Sequence, residues 1–369
     1  MNHHFNRNAV IVLAITLAAL SIMSGQTAVN AQTVAPTAPA TQSAPAADPL
    51  GGATTFASAD KVTNLNMLLD YTPNTNHLGI YAALALGYYT DAKLNVTIQQ
   101  PGDVAVEQIV GTGKAEFGVS YQDQATFALV SGQPIVSLAA IVQHDTSAFA
   151  TLHDKHPVTT PVDLAGLRYG SFGSPIEKPT LDLLTGCPGV GAAANAAPIQ
   201  YIDVGNAEPF PLMDKDRIDV TWLFYAWDGI RAKQQGLKLD FVFLKDYTQC
   251  IPDYYTPLLI TNADMLKNHP DVVRAFTQAT ARGYAYAIQH PDEAAALLLK
   301  AVPDLDSALV KESSQWLAAQ FQADAPRWGE QKASVWQDYA DWLFKHGALD
   351  HALDTSTVFS NAFLPGKAQ

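Results

Sequence analysis

The sequence predicts an α/β protein, and three observations support this fold class. The chain has 369 residues, 48% of them hydrophobic, which is enough for two domains with sizeable cores. Short apolar runs of strand length alternate with helix-like stretches from residue 65 onwards. The loops after several of these runs carry Asn, Ser and Pro, which are typical of helix starts. This alternation indicates parallel sheets, whose ligands bind beyond the carboxyl ends of the strands.

The N-terminal residues have the layout of a secretory signal peptide, which we place at residues 1–31. Arg7 precedes an apolar run over residues 9–23, and small residues lead to a cleavage position after Ala31. The same run kept as an uncleaved membrane anchor remains an alternative. Residues 32–60 are mostly Ala, Pro, Thr, Ser and Gly, so we predict a flexible linker there. The predicted location is the periplasm or the outer face of the cell membrane.

The first predicted strand, loop and helix supply the first part of a candidate site. Residues 67–69 form an apolar strand, and residues 72–76 form a polar loop whose Pro, Asn and Thr favour a helix that begins near His77. The free N–H groups of such a helix start face one crevice, where a small polar molecule can bind. An ordinary turn is the structural alternative. The candidate ligand-binding residues of this unit are Asp70, Tyr71, Asn76 and His77.

The rest of the first α/β series repeats this alternation. Further strands are predicted over residues 94–98, 115–120 and 134–142. A short helix is expected near Val106, and another ends at Gly132. The segment that follows the strand over residues 115–120 supplies two more candidate ligand-binding residues, Tyr121 and Gln122.

A second α/β series begins at residue 163 and is followed by a strand over residues 258–261 and mainly helical sequence. Ser174 and Glu177 stand in the positions of a capping box around a predicted helix start, so a structural role and a ligand-facing role both remain open. The predicted strands of this series cover residues 167–171, 199–204, 218–224 and 239–244. The candidate ligand-binding residues at their ends are Phe172, Gly173, Ser174, Glu177, Tyr225 and Trp227.

Charge and motifs exclude several classes of function. A formal net charge of −13 argues against a nucleic-acid-binding protein, which needs a basic face. The sequence has no GxSxG, GxxxxGK[ST] or HExxH pattern. We therefore predict no catalytic residues, no metal ligands and no cofactor. The aromatic and amide side chains at the predicted strand ends fit binding of a small molecule better than catalysis.

The sequence does not determine whether the two cysteines are joined or free. In an oxidising compartment Cys187 and Cys250 can form a disulfide, and two buried free thiols are the alternative.

Six segments of the chain are informative together: LDYTPNTNH, EFGVSYQDQ, YGSFGSP, WLFYAWDGI, DYYTPLLIT and VWQDYADW. They resemble periplasmic substrate-binding proteins of the thiamine-precursor family. The resemblance implies two α/β lobes that are joined by crossings near residues 143–153 and 246–256 and close over a flat heterocycle. It further implies delivery of that vitamin or precursor to an ABC transporter permease and its ATPase, without enzymatic activity. The lobe boundaries that follow are residues 61–150 with 254–369 for lobe 1, and residues 151–253 for lobe 2.

The resemblance leaves an enzyme and two ligands to be weighed. Related fungal enzymes that make the thiamine pyrimidine carry a reactive lysine and histidine in the first lobe and a cysteine-rich run in the second. This chain reads YQDQATF and QCIPDYYTP there, without those groups. The similar pyrimidine binders tend to have Trp where this chain has Tyr71, which leaves a wider slot towards Phe172. We therefore favour riboflavin as the ligand, with a thiamine pyrimidine precursor of the formylaminopyrimidine type as the alternative.

Overall fold

The strands in the described part of the chain form two five-stranded sheets. The computed structural model describes residues 56–102, 104–187, 189, 197–205 and 207–366. In chain order the strands are β1 (Thr63–Leu68), β2 (Leu94–Gln99), β3 (Phe117–Ser120), β4 (Ile135–Ala140), β5 (Ser147–Leu152), β6 (Arg168–Ser171), β7 (Gln200–Asp203), β8 (Val220–Phe224), β9 (Leu239–Phe243) and β10 (Leu258–Asn262).

The helices cover both sheets and make up most of the C-terminal third of the chain. In chain order they are α1 (Leu78–Ala85), α2 (Tyr88–Asp91), α3 (Val106–Gly111), α4 (Gln122–Val130), α5 (Glu177–Thr185), α6 (Pro209–Asp214), α7 (Ile230–Gln234), α8 (Ala263–Asn268), α9 (Pro270–Gln289), α10 (Pro291–Ala301), α11 (Ser307–Ala318) and α12 (Ala333–Lys345). Short helical turns lie at Thr75–His77, Pro161–Leu164, Tyr225–Gly229, Leu244–Tyr247, Thr355–Thr357 and Asn361–Phe363. The predicted α/β class is confirmed.

Each sheet is mixed rather than purely parallel. The first has the strand order β2-β1-β3-β10-β4, and the second has the order β7-β6-β8-β5-β9. In each sheet the strand that follows a passage between sheets, β5 or β10, runs antiparallel to its neighbours. The chain leaves one sheet at the carboxyl ends of its parallel strands and enters the other sheet at the corresponding edge. The first strand after the passage therefore runs in the opposite direction to the parallel strands of that sheet. The prediction of parallel sheets missed this reversal.

The first passage between the sheets is shorter than the predicted crossing, whereas the return passage is slightly longer. The first lies between Ala140 and Ser147, because β5 already pairs with β8 and β9 of the second sheet. The sequence prediction had placed residues 147–152 in a crossing, although their apolar pattern suits a buried strand. The return passage lies between Phe243 and Leu258.

Helices bury both faces of the first sheet. Leu65 and Met67 of β1 pack into the core that contains α1 and α9, whereas Leu68 packs into a second core with α3 and Trp336. Successive side chains of a strand point to opposite faces, so this division shows that β1 is covered on both sides. The strand is therefore apolar on both faces, which explains the continuous apolar run in the sequence.

Helix α12 contacts cores associated with both sheets. Trp336 lies in the core with Leu68 of β1, while Trp342 lies in the core with Phe149 of β5. The indole N–H of Trp342 also donates to the carbonyl of Cys250 at 3.0 Å. The two tryptophans therefore pack as core residues.

The beginning of the described chain is attached to the folded body. The N–H of Ala57 donates to Gln278 Oε1 of α9 at 2.8 Å, and the N–H of Ala59 donates to the carbonyl of Ala92 at 3.0 Å. The predicted signal peptide and residues 32–55 of the predicted linker lie outside the described residues, whereas residues 56–60 are packed rather than flexible. No helix of the described residues has the length and apolar character needed to cross a membrane.

The two passages between the sheets bind each other. His144 of the first passage contacts Asp253 of the second through Nδ1, and its Nε2 lies 3.0 Å from Asp324 Oδ1. The N–H of Asp145 donates to Asp253 Oδ1 at 3.0 Å. The hydrogen bond to Asp253 is the main cause that raises the pKa of His144 above its usual value.

This histidine predicts a pH dependence of stability. Because the pKa of His144 is raised in the folded protein, its links contribute fully below the usual value of 6.5 and are lost as the pH rises through the folded-state value. We expect the difference in free energy of unfolding between wild type and His144→Gln to be at most about 1 kcal/mol, since the site is partly exposed, and to shrink from pH 6 to pH 9. Urea unfolding across this range measures it, and a difference independent of pH would contradict the assignment.

Cys187 and Cys250 form a disulfide with a Cα–Cα distance of 5.7 Å. The bond joins the end of α5 to the return passage and closes a loop with a sequence separation of 63 residues. In the chain-entropy model, closing a loop of this length stabilises the folded state by about 4 kcal/mol.

The disulfide predicts a measurable loss on reduction. We expect reductant to lower the free energy of unfolding by several kcal/mol, while the double variant with Cys187→Ser and Cys250→Ser shows the same lowered value with and without reductant. Thiol titration of the unfolded, unreduced protein should find no free thiol. Two titratable thiols would show that the bond does not form.

Candidate functional site

The loop after β1 is held by a buried histidine. The imidazole of His77 is fully buried, and its Nδ1 accepts the N–H of Asn74 at 3.1 Å. The ring proton therefore lies on Nε2, which is 2.6 Å from Asp70 Oδ1. Asn74 caps the helical turn that follows by accepting the N–H of Asn76 at 2.8 Å. The predicted polar loop and helix start are thus present, and they bring Asp70 and His77 together.

The same carboxylate reaches the end of the neighbouring strand. The hydroxyl of Tyr121, which follows β3, donates to Asp70 Oδ2. The side chain of Asp70 is only 3% exposed. Burial by itself raises the pKa of Asp70, but attraction to His77 and hydrogen bonds from His77 and Tyr121 outweigh it, so the net pKa is lowered. Burial and the Asp70 charge raise the pKa of Tyr121, whose hydroxyl therefore stays a donor.

The ring of Tyr121 faces a ring of the second sheet. Its centroid lies 6.2 Å from that of Phe224, at the end of β8, and the two planes are 17° apart. Two residues earlier, Trp222 occupies the same face of β8 and lies 6.1 Å from Phe172. Phe172 is 46% exposed. We call Phe172, Trp222 and Phe224 the aromatic row; it lies on the second sheet and begins opposite Tyr121.

The loop before α5 is organised by Glu177. Its buried carboxylate accepts the N–H of Phe172 at 3.0 Å and the N–H of Ser174. The acidic half of the predicted capping box is therefore present. Within the described residues the hydroxyl of Ser174 is buried without a hydrogen-bond partner. Gly173 has a φ of 93°, which allows the chain to turn sharply here.

Three predicted site residues contact other parts of the protein. Gln122 is fully buried; its amide accepts the N–H of Tyr255 at 2.8 Å and donates to the carbonyl of Val335 at 3.3 Å. It therefore positions the return passage, and both of its amide atoms already have a protein partner. The ring of Tyr225 packs on Trp316, Phe241 and Phe243, and Trp227 packs against the core of the first sheet.

The remaining predicted residues lie around the network. Tyr71, next to Asp70, is 59% exposed, and Asn76 is partly buried with its carbonyl accepting the hydroxyl of Tyr284 at 2.8 Å. Sequence reasoning missed Trp222 and Phe224. The period-two alternation of β8 places these two on one face and Tyr225 off it, so strand alternation was the signal that could have found them.

Comparison with known proteins identifies relatives for most of the chain. The family described as NMT1/THI5 like matches residues 74–294. The formylaminopyrimidine-binding protein of Halalkalibacterium halodurans is 25% identical over 316 residues, which cover 84% of this chain and 93% of that protein. The riboflavin-binding protein RibY of Chloroflexus aurantiacus is 23% identical over 347 residues, covering 90% and 92%.

An enzyme and a solved structure extend this comparison. The 4-amino-5-hydroxymethyl-2-methylpyrimidine phosphate synthase of Legionella pneumophila is 23% identical over 314 residues, covering 84% of this chain and 95% of that protein. The alkanesulfonate-binding protein SsuA from Xanthomonas axonopodis pv. citri has a TM-score of 0.59 at 12% identity and covers 83% of this chain and 99% of its own. The structural likeness confirms the predicted periplasmic-binding-protein fold.

The Asp70 network predicts a stability cost at the site. Replacing Tyr121 by Phe keeps the ring but leaves Asp70 Oδ2 buried without its donor, so we expect a loss of about 1–3 kcal/mol in the free energy of unfolding at pH 7. Urea unfolding measures this loss. The matched control is Tyr71→Phe, at an exposed ring beside Asp70, for which we expect a change within about 0.5 kcal/mol. Equal stability of the two variants would contradict the role of the Tyr121 hydroxyl.

Proposed function

The chain belongs to the NMT1/THI5-like family, and from this premise we propose that it is the substrate-binding component of an ABC-type importer. In this role it holds a flat aromatic heterocycle between its two sheets and delivers it to a membrane permease and its ATPase. The observation that carries the proposal is the nearly parallel pair of Tyr121 and Phe224, one ring from each sheet. A flat ring stacked between them needs about 3.5 Å on each side, or about 7 Å in all. The two ring centroids are 6.2 Å apart, so the rings must move apart by about 1 Å to admit the ligand.

Riboflavin is the first candidate ligand because the aromatic row is longer than one ring. Phe172 and Trp222 are 6.1 Å apart, and Trp222 and Phe224 are two residues apart on a strand, or about 6.6 Å. A three-ring flavin that stacks on Phe224 and extends along this row reaches Trp222 and Phe172, although the planes of these two rings are 53° apart and only one of them can lie flat against it. The partnerless hydroxyl of Ser174 supports a polar group of the ligand nearby, since pairing recovers the cost of its burial. The similarity to RibY supports the same ligand.

A thiamine pyrimidine precursor is the second candidate. The Tyr121 and Phe224 pair alone suffices to stack one ring, and the similarity to the formylaminopyrimidine-binding protein favours this ligand. The two candidates differ in whether Phe172 and Trp222 contact the ligand.

We infer that the chain is not an enzyme, although some relatives are named as synthases. The segment after β3 reads YQDQATF, so the positions of the reactive lysine and histidine of the similar enzymes hold neither. Cys250 stands alone where those enzymes carry several cysteines, and it is joined to Cys187. Two of the relatives are named as binding proteins, which supports this inference.

The proposed location is the periplasm or the outer face of the cell membrane. The signal-peptide pattern of residues 1–31 and the predicted linker up to residue 60 support export. The disulfide between Cys187 and Cys250 also suits an oxidising compartment.

A ligand titration tests the proposed function. We expect the purified mature chain to bind riboflavin and quench its fluorescence by stacking, without converting it. Replacing Phe224 by Ala removes one stacking face and should weaken binding by roughly 1.4–3 kcal/mol, which is about tenfold to a hundredfold. Replacing Tyr71 or Phe172 by Trp should narrow the slot and penalise riboflavin more than a single-ring pyrimidine.

The control is Phe344→Ala, which removes a ring that is 45% exposed on α12 and should leave binding unchanged. Pyrimidine binding without flavin quenching would replace riboflavin by the thiamine precursor. Formation of a pyrimidine product from pyridoxal phosphate by the purified chain alone would reverse the assignment in favour of a synthase.

A further inference from the structure

The segments that carry the candidate site contain acidic residues and neither Lys nor Arg. Residues 62–92, 115–154, 169–177 and 218–230 include neither Lys nor Arg. The same segments contain the carboxylates of Asp70 and Glu177 among others. A site for an anionic ligand needs a cation or free N–H groups. The absence of Lys and Arg from these segments therefore argues against an anionic ligand, unless free N–H groups replace them.

The free N–H groups that an anion would use in the second sheet are already occupied. The loop between β6 and α5 presents the N–H groups of Phe172 and Ser174, and both donate to the carboxylate of Glu177. Glu177 is 2% exposed, so this carboxylate is a fixed part of the loop. The protein's own negative charge therefore takes the place that a phosphate or sulfonate of a ligand would take.

The opposite side of the site has the same sign. Asp70 lies at the carboxyl end of β1, and its two oxygens accept from His77 and Tyr121. Its partner in this loop is the imidazole of His77, and residues 62–92 offer no Lys or Arg to an incoming anion. A ligand stacked on Tyr121 lies close to this carboxylate, in surroundings where charges are screened less than in water.

We infer that the site selects uncharged or cationic heterocycles and rejects phosphorylated or sulfonated ones, and that Glu177 is a specificity-determining residue for this choice. The inference rests on the proposed function and adds the charge class of the ligand. An anion that enters the site is repelled by like charges and cannot bind the loop N–H groups, which already donate to Glu177. An uncharged ring does not need these N–H groups, so its binding is not weakened.

Two matched ligand pairs test the inference. One pair is 4-amino-5-hydroxymethyl-2-methylpyrimidine and its phosphate ester, in which the phosphate must enter together with the ring. The other is riboflavin and flavin mononucleotide. We expect the wild type to bind the uncharged member of the pair that fits at least tenfold more tightly. Because Glu177→Gln removes the charge and replaces one of the two acceptor oxygens by an NH₂ donor, this variant should reduce the ratio at least threefold.

The control is Asp182→Asn, which removes one charge from the same helix at a side chain that is 48% exposed, and it should leave the ratio unchanged. Equal binding of both members by the wild type, or an unchanged ratio in a folded Glu177→Gln variant, would overturn the inference and leave the proposed function standing. If this variant fails to fold, the wild-type ratio decides alone. Binding of neither pair would refute the proposed function and the inference with it.

Discussion

The site depends on the hydrogen bonds that the buried carboxylate of Asp70 accepts. It follows β1 and accepts from the hydroxyl of Tyr121, which follows the adjacent parallel strand β3. His77 donates to its other oxygen and is itself held by the N–H of Asn74. A charge buried to this degree is tolerated only with such partners, so the network joins two strand ends and orients the Tyr121 ring towards Phe224.

The position of Phe224 relative to Tyr121 depends on how the chain connects the two sheets. The passages between the sheets are bound to each other through His144, Asp145 and Asp253. Helix α11 adds contacts at a different place. Its Ser313 hydroxyl lies 2.6 Å from that of Thr75, its Trp316 packs on Tyr225, and its Glu312 pairs with Lys233 of α7 at 2.7 Å. Elements distant in sequence therefore determine the spacing of the two stacking rings.

The site divides its chemistry between ring faces and fixed acids. Tyr121 and the aromatic row supply apolar faces, while the hydroxyl of Tyr121 is engaged by Asp70. The carboxylate of Glu177 is engaged by backbone N–H groups in the same way. Among the described residues the buried hydroxyl of Ser174 has no hydrogen-bond partner. In the function that we propose, stacking supplies the affinity for flat rings, and the engaged acids influence which charges are accepted.

The sequence by itself determined the α/β class, most of the strands and the polar loop at residues 70–77, because apolar periodicity and helix-capping residues act over a few neighbouring positions. The pairing of Asp70 with Tyr121, the engagement of Gln122 by Tyr255 and the facing of Tyr121 by Phe224 were decided only by the tertiary structure. These contacts join residues 51 to 133 positions apart, and no local pattern encodes such a separation. The place of β5 in the second sheet was also decided by the tertiary structure, since its partners β8 and β9 lie far along the chain.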